Sequence, residues 1–115
     1  MDKRLLWLGS SRGDIRAFPS AARRIAGFQL LRVQQGLEPN DWKPMASIGS
    51  GVRELRIHTE TEQRVCYVAR FSEGIYVLHA FEKRSRRTSA RDIELARTRY
   101  RELLEHRRRE GHERG

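Results

Sequence analysis

The chain has 115 residues and a single cysteine, Cys66, which limits it to one modest core and rules out an internal disulfide or a cysteine-based zinc site. Its longest apolar runs, such as Ile75 to Ala80, fall far short of the roughly 20 residues a membrane helix needs, and the N-terminus lacks the apolar middle of a signal peptide, so a cytoplasmic location with no membrane partner is expected. Lys+Arg number 24 against 15 Asp+Glu, a net charge of +9, and all but three of the cations are arginine, whose planar fork suits phosphate and points to a polyanionic partner, nucleic acid first.

Arg4 to Gly9 ("RLLWLG") reads as a short first strand ending at a turn. In "SSRGDIRAF", serine precedes an acid while Ile15 and Phe18 lie three apart, which predicts a short helix. Pro19 fits a first helical turn. After it Ala22, Ile25, Ala26, Leu30 and Val33 recur at helical spacing, and Gly36 stands where a helix end wants a left-handed residue. Residues 37–50 hold Pro39, Pro44 and Gly49 without periodicity and read as a loop.

Three strands follow. In Gly51–Thr59, Leu55 and Ile57 point one way while Glu54, Arg56 and His58 point the other. Gln63–Phe71 puts Val65, Tyr67, Ala69 and Phe71 on one face and Arg64, Cys66, Val68 and Arg70 on the opposite face. Gly74–Phe81 is apolar on both faces, as a central strand should be. The connections "ETE" and "SEG" are short, which predicts an antiparallel meander. A last helix starts near Ser89 with Asp92 three residues on, and Ile93, Ala96, Tyr100, Leu103 and Leu104 share its apolar face. Beyond it the chain has charge and no apolar face. The expected organisation is one domain over residues 1–105 and a basic, flexible tail over 106–115. Half of the cations lie from Lys83 onward, so that end either adds affinity for RNA or is a solvated surface.

Arg56, Arg64, Lys83 and Arg84 lie on or beside three strands expected to be neighbours about 4.8 Å apart, so they can converge on one patch of the sheet. Ordinary solvent-facing charges would give the same spacing. Lys43, Arg53, Arg86 and Arg87 are further candidates for contacting RNA. No metal site is expected, because the four histidines are scattered and no paired-carboxylate or HExxH spacing occurs; no cofactor is implied. Arginine stays protonated, so it can hold a phosphate and stabilise charge on phosphoryl oxygens but cannot act as a base. Proton transfer falls to Glu54, His79, Lys83 or a tyrosine. RNA supplies its own nucleophile, the 2′-hydroxyl, so a protein offering alignment and positive charge can cleave it.

The segments "FPSAARRIAGFQLLRVQQGLEPNDWKPMASIGSGVRELRI", "RVCYVARF" and "IYVLHAFEKRSRRTSARDIELARTR" together resemble the phage-derived, HigB-like branch of the RelE/ParE-type toxins of type II toxin–antitoxin systems. The resemblance runs from about Trp7 to about Leu104. It implies an α+β, RelE-like fold: a compact antiparallel sheet with two N-terminal helices on one face, a concave basic face opposite and a C-terminal helix. It implies ribosome-dependent, metal-independent cleavage of mRNA, with a small helix-turn-helix antitoxin as partner. By position, Arg56 and Arg64 match the family's strand cations, and Lys83 and Arg84 match the basic pair after the last strand, with Arg84 in place of a common lysine. Relatives differ in their acid/base group, which leaves Glu54 and His79 as the candidates here. Some relatives inhibit DNA gyrase instead. A nucleic-acid-binding module without catalysis and a gyrase-inhibiting, ParE-type toxin are therefore the alternatives.

Overall fold

The structure, a computed structural model, describes residues 2–111. The elements run β1 (Leu5–Trp7), α1 (Ser11–Arg16), α2 (Ser20–Gln34), β2 (Trp42–Pro44), β3 (Val52–His58), β4 (Glu62–Val68), β5 (Ile75–Lys83) and α3 (Ala90–Arg109). The strands form one sheet in the order β1-β5-β4-β3-β2. β2 to β5 pair antiparallel, as the short connections predict. β1 departs from the all-antiparallel expectation and runs parallel to β5, with Leu5 opposite Ile75. No hairpin joins these two strands, so no tight turn fixes their relative direction. β2 is a second departure, since residues 37–50 read as loop. Lys43 in fact pairs with Glu54 at the sheet edge. Three residues ending in proline carry no readable period, and an edge is where a sheet tolerates proline.

Alternation along the strands builds two cores. Leu55, Ile57, Val65, Tyr67, Ile75 and Val77 face α1 and α2 and pack with Ile15, Phe18, Ala22, Ala26, Leu30 and Val33. On the other face Val52, Cys66, Val68, Tyr76 and Leu78 pack with Met45, Ile48 and the α3 residues Ala96, Tyr100 and Leu103. The face expected to lie open opposite the N-terminal helices is thus partly roofed by α3. Gly49 is the closest approach in this layer: a Cβ there would fall on the Tyr100 ring, whose hydroxyl donates to Ser50 O at 2.5 Å.

The helices begin and end for local reasons. Pro19 is the residue before α2 rather than its first turn. α2 buries Ala22, Ala26, Gln29, Leu30 and Val33, but Ile25, expected on that stripe, lies outside it at 36% exposure. At its end Gly36 takes φ +81°, with Gly36 N–H donating to Val33 O and Leu37 N–H to Arg32 O, the two bonds of a Schellman turn. At the start of α3, Ser89 Oγ accepts from Asp92 N–H at 3.1 Å, as the spacing predicts.

α3 also outlasts its apolar pattern. Structure was expected to give out at residue 106, yet the helix continues to Arg109. Arg107 is only 3% exposed, with its guanidinium 3.7 Å above the Phe71 ring and Nε 2.6 Å from Glu73 Oε2. Phe71 can serve this role because β4 stops at Val68 and the chain turns Phe71 into the α3-side core rather than continuing the alternation. The rest of the expected tail, residues 112–115, lies outside the described residues. Among the described residues no helix is long and apolar enough to cross a membrane.

Candidate nucleic-acid interface

One extra residue in β5 decides which side chains meet. Val77 lies opposite Tyr67 and His79 opposite Cys66, so the ladder skips Leu78. Upstream, Ile75 and Val77 face α2. Downstream the parity reverses: Ala80 joins the α2-side core, while Phe81 pairs with Arg64 and Lys83 with Glu62. In an unbroken strand Phe81 and Lys83 would share the direction of Val77 and point at the helices. The bulge turns both onto the other face, a common use of bulges next to functional sites.

Directly paired residues share a face, so the registers define three rows. The first is Lys43–Glu54–Cys66–His79, the second Arg56–Arg64–Phe81, and the third His58–Glu62–Lys83. All lie on the α3 side, since Cys66 belongs to that core. Arg56 and Lys83 stay partly exposed and Lys43 is exposed, at the end of the face that α3 leaves open. The sheet therefore brings together Arg56, Arg64, Lys83, Lys43, Glu54 and His79.

The cations in these rows are not equivalent. Arg64 is 2% exposed and internally compensated: its Nε is 3.6 Å from Glu54 Oε1, and its Nη1 donates to Glu62 Oε1 at 3.1 Å and to Gln63 O at 3.0 Å. Glu54 is 1% exposed, and its Oε2 has no hydrogen-bond partner among the described residues. A buried arginine without carboxylates beside it would be prohibitively costly, which accounts for this pairing. Among the described residues Arg56 and Lys83 have no ion pair. Burial, followed by repulsion from Arg64, lowers the Lys83 pKa from its ordinary value, against the attraction of Glu54.

His79 is held from α3. Its Nε2 lies 2.7 Å from Asp92 Oδ1, and Ser89 Oγ donates to Asp92 Oδ2 at 2.6 Å. His79 Nδ1 is buried and has no hydrogen-bond partner among the described residues. The ring stacks on Phe81 at 5.0 Å between centroids. A cleft of about 470 Å³ adjoins this pair and is lined by Lys83, Arg84, Arg87 and Arg91 among others.

Other expected residues lie off these three rows. Arg84 lies past the last ladder pair, 84% exposed, beside Glu82. Arg53 has the parity of Leu55, so it sits on the opposite face, over the Trp42 ring and paired with Glu38. Arg86 and Arg87 are exposed in the β5–α3 loop, and only Arg87 reaches the cleft. Phe81 and Asp92 escaped the sequence reading. Phe81 ends an apolar run and reads as core, and Asp92 reads only as a capping partner. Among the described residues no three His, Cys, Asp or Glu side chains are arranged to hold a metal ion. Burial pushes the Cys66 thiol well above its ordinary pKa, so it is not a nucleophile.

Compared with known proteins, residues 13–101 match the model of the phage-derived Gp49-like protein family (DUF891). No curated protein matches the chain.

Proposed function

This chain belongs to the phage-derived Gp49-like family, and on that footing we propose that it is the toxin of a type II toxin–antitoxin pair, of the HigB-like branch of RelE/ParE-type toxins, cleaving mRNA on the ribosome. The observation that carries the reading is the cross-strand row Arg56–Arg64–Phe81 with Lys83 beside it. It combines uncompensated positive charge, a rigid sheet base and an aromatic ring on a partly open face. Phosphate contacts position a strand, and an aromatic face receives an unpaired base.

In this reading Arg56 and Lys83 clamp the phosphodiester, and Arg64 fixes Glu54. The 2′-oxygen attacks the adjacent phosphorus and the P–O5′ bond breaks, leaving a 2′,3′-cyclic phosphate and a 5′-hydroxyl. Water takes the proton from the 2′-hydroxyl, since Glu54 Oε2 and His79 Nδ1 are both buried, and the Lys83 ammonium protonates the leaving O5′. A lysine with a lowered pKa gives up its proton more readily, and such transfers contribute about 10²–10⁴ in rate. Alignment of the 2′-hydroxyl with the scissile bond supplies the larger share. A helix-turn-helix antitoxin is the expected partner.

Induction of the wild-type gene in a bacterial host tests this. Growth arrest is expected, and Arg56→Ala combined with Lys83→Met should relieve it while the purified variant keeps the wild-type Tm. A folded double variant that arrests growth equally well removes the site from consideration.

A further inference from the structure

α2 presents a second apolar surface, turned away from the core. Among the described residues the exposed large hydrophobics are Ile25 at 36%, Phe28 at 56%, Leu31 at 41% and Leu37 at 49%. All belong to α2 or the turn that ends it. Ile25, Phe28 and Leu31 recur every three residues, so they follow one another along the outer side of the helix. The Schellman turn at Gly36 folds Leu37 back toward the last turn. At about 1.5 Å per residue the ridge runs roughly 14 Å.

Its charges have one sign. α2 carries Arg23, Arg24 and Arg32 and no Asp or Glu from Ser20 to Gln34. Arg23 Nη1 donates to Arg16 O and Arg32 Nε to Glu38 O, so both are steadied by backbone carbonyls, and neither makes an ion pair among the described residues. Arg24 is exposed and makes no ion pair among the described residues. The opposite side of α2 is fixed against Leu55, Ile57 and Val65, on the sheet face away from the Arg56 row.

The geometry points to a second binding surface: the outer side of α2 receives the apolar face of an amphipathic helix from a partner protein whose flanking acidic residues meet Arg24 and Arg32. A helix laid along the ridge would meet it with anchors at i, i+3 or i+4, and i+7. A second copy of this chain is a poor occupant, because face-to-face contact would oppose the same arginines. An interfacial lipid helix inserts a broad apolar face, whereas this ridge is narrow and backed by its own domain. The inference does not depend on RNA cleavage, and the occupant would leave Arg56 and Lys83 uncovered.

Panning the full-length protein against a library of displayed helical peptides tests it, with binding of the enriched peptides measured in solution. The expected consensus has large apolar residues at the helical spacing above, flanked by Asp or Glu. Phe28→Ser with Leu31→Ser should weaken binding about tenfold or more, the loss typical of buried apolar anchors. Arg24→Gln with Arg32→Gln should weaken it about two- to fivefold, as for rim charges. Both variants should keep the wild-type Tm, and Arg56→Ala with Lys83→Met should bind the peptides normally even if it abolishes toxicity. The proposal is overturned if no peptide family emerges, or if the winners ignore the Phe28/Leu31 variant. It is equally overturned if that variant instead abolishes adhesion to phosphatidylglycerol vesicles or a concentration-dependent dimer.

Discussion

Arg56 and Arg64 stand directly opposite each other across the β3–β4 ladder. Arg56 N–H donates away from β4, to Asp41 O at 2.9 Å, so the two residues form a pair without hydrogen bonds between their own backbones. Such pairs hold their side chains closest, with Cα atoms about 4.5 Å apart. Two cations there repel, an arrangement that ordinarily destabilises a sheet. Glu54 and Glu62 offset the charge of Arg64, while Arg56 has no ion pair among the described residues.

The two arginines should therefore fail differently when removed. Arg64→Ala strands the buried Glu54 carboxylate and should cost about 3–5 kcal/mol, the range for breaking a buried pair from one side. Arg56→Ala relieves a repulsion and should change stability by no more than about 0.5 kcal/mol while removing toxicity. Urea unfolding of each variant beside a growth assay separates the cases. Equal destabilisation would mean that Arg56 is as deeply paired as Arg64.

Lys83 should give RNA binding an alkaline limit. Its lowered pKa means that its charge is lost at a lower pH than for an ordinary lysine. Affinity for a short 2′-O-methyl RNA, which lacks the attacking hydroxyl, should decline on raising pH from about 7 to about 10. Lys83→Arg keeps its charge throughout and should flatten the decline. A wild-type curve identical to that of Lys83→Arg would show that Lys83 does not contact the phosphate.

His58 should make stability depend on pH near neutrality. Its Nε2 lies 2.5 Å from Asp41 and its Nδ1 2.7 Å from Glu62, and these bonds, Asp41 first, raise its pKa above the ordinary value. A raised folded-state pKa gives stability that is complete below the unfolded value of about 6.5 and lost as pH climbs through the folded value. The Tm should fall over that interval in wild type and stay level in His58→Gln. The side chain is half exposed, so the slope should shrink in high salt.

Arg107 should anchor the end of α3. It holds Glu73, whose pKa falls to about 2 mainly through this bond, and it covers Phe71. Arg107→Ala should cost about 2–3 kcal/mol, below the range for a fully buried pair because Glu73 is partly exposed. The depressed Glu73 pKa adds stability above the unfolded value of about 4.5, lost as pH drops toward 2. The variant should lack that part of its acid sensitivity. Unchanged stability in Arg107→Ala would return residues 106–109 to the status of a dispensable tail.

The meander was legible because Leu55 and Ile57 alternate with Glu54 and Arg56, and short connections forced hairpins between neighbours. The convergence of Arg56 and Arg64 followed from that register. The direction of Lys83 did not, because one unpaired residue at Leu78 reverses parity and leaves no mark in an uninterrupted apolar run. Strand alternation could have separated Arg53 from Arg56, since residues an odd number apart on a strand face opposite sides. The burial of Arg107 was invisible for a different reason: a guanidinium reads as solvent-facing until Glu73 and Phe71, more than thirty residues earlier, are seen beneath it. α2 misled in the opposite sense. Ile25 fits the helical period, yet Ala22 and Ala26 bring the helix close to the sheet and leave Ile25 outside.

In the proposed function, the open basic face around Arg56 and Lys83 cleaves a ribonucleotide linkage. The most direct measurement maps RNA ends on a translated message after induction of the wild-type gene and of Arg56→Ala with Lys83→Met. Cleavage by this face predicts internal cuts bearing a cyclic phosphate and a 5′-hydroxyl in wild type and none in the double variant. Intact message in wild-type cells whose growth has stopped, or the same cuts in the double variant, would contradict it.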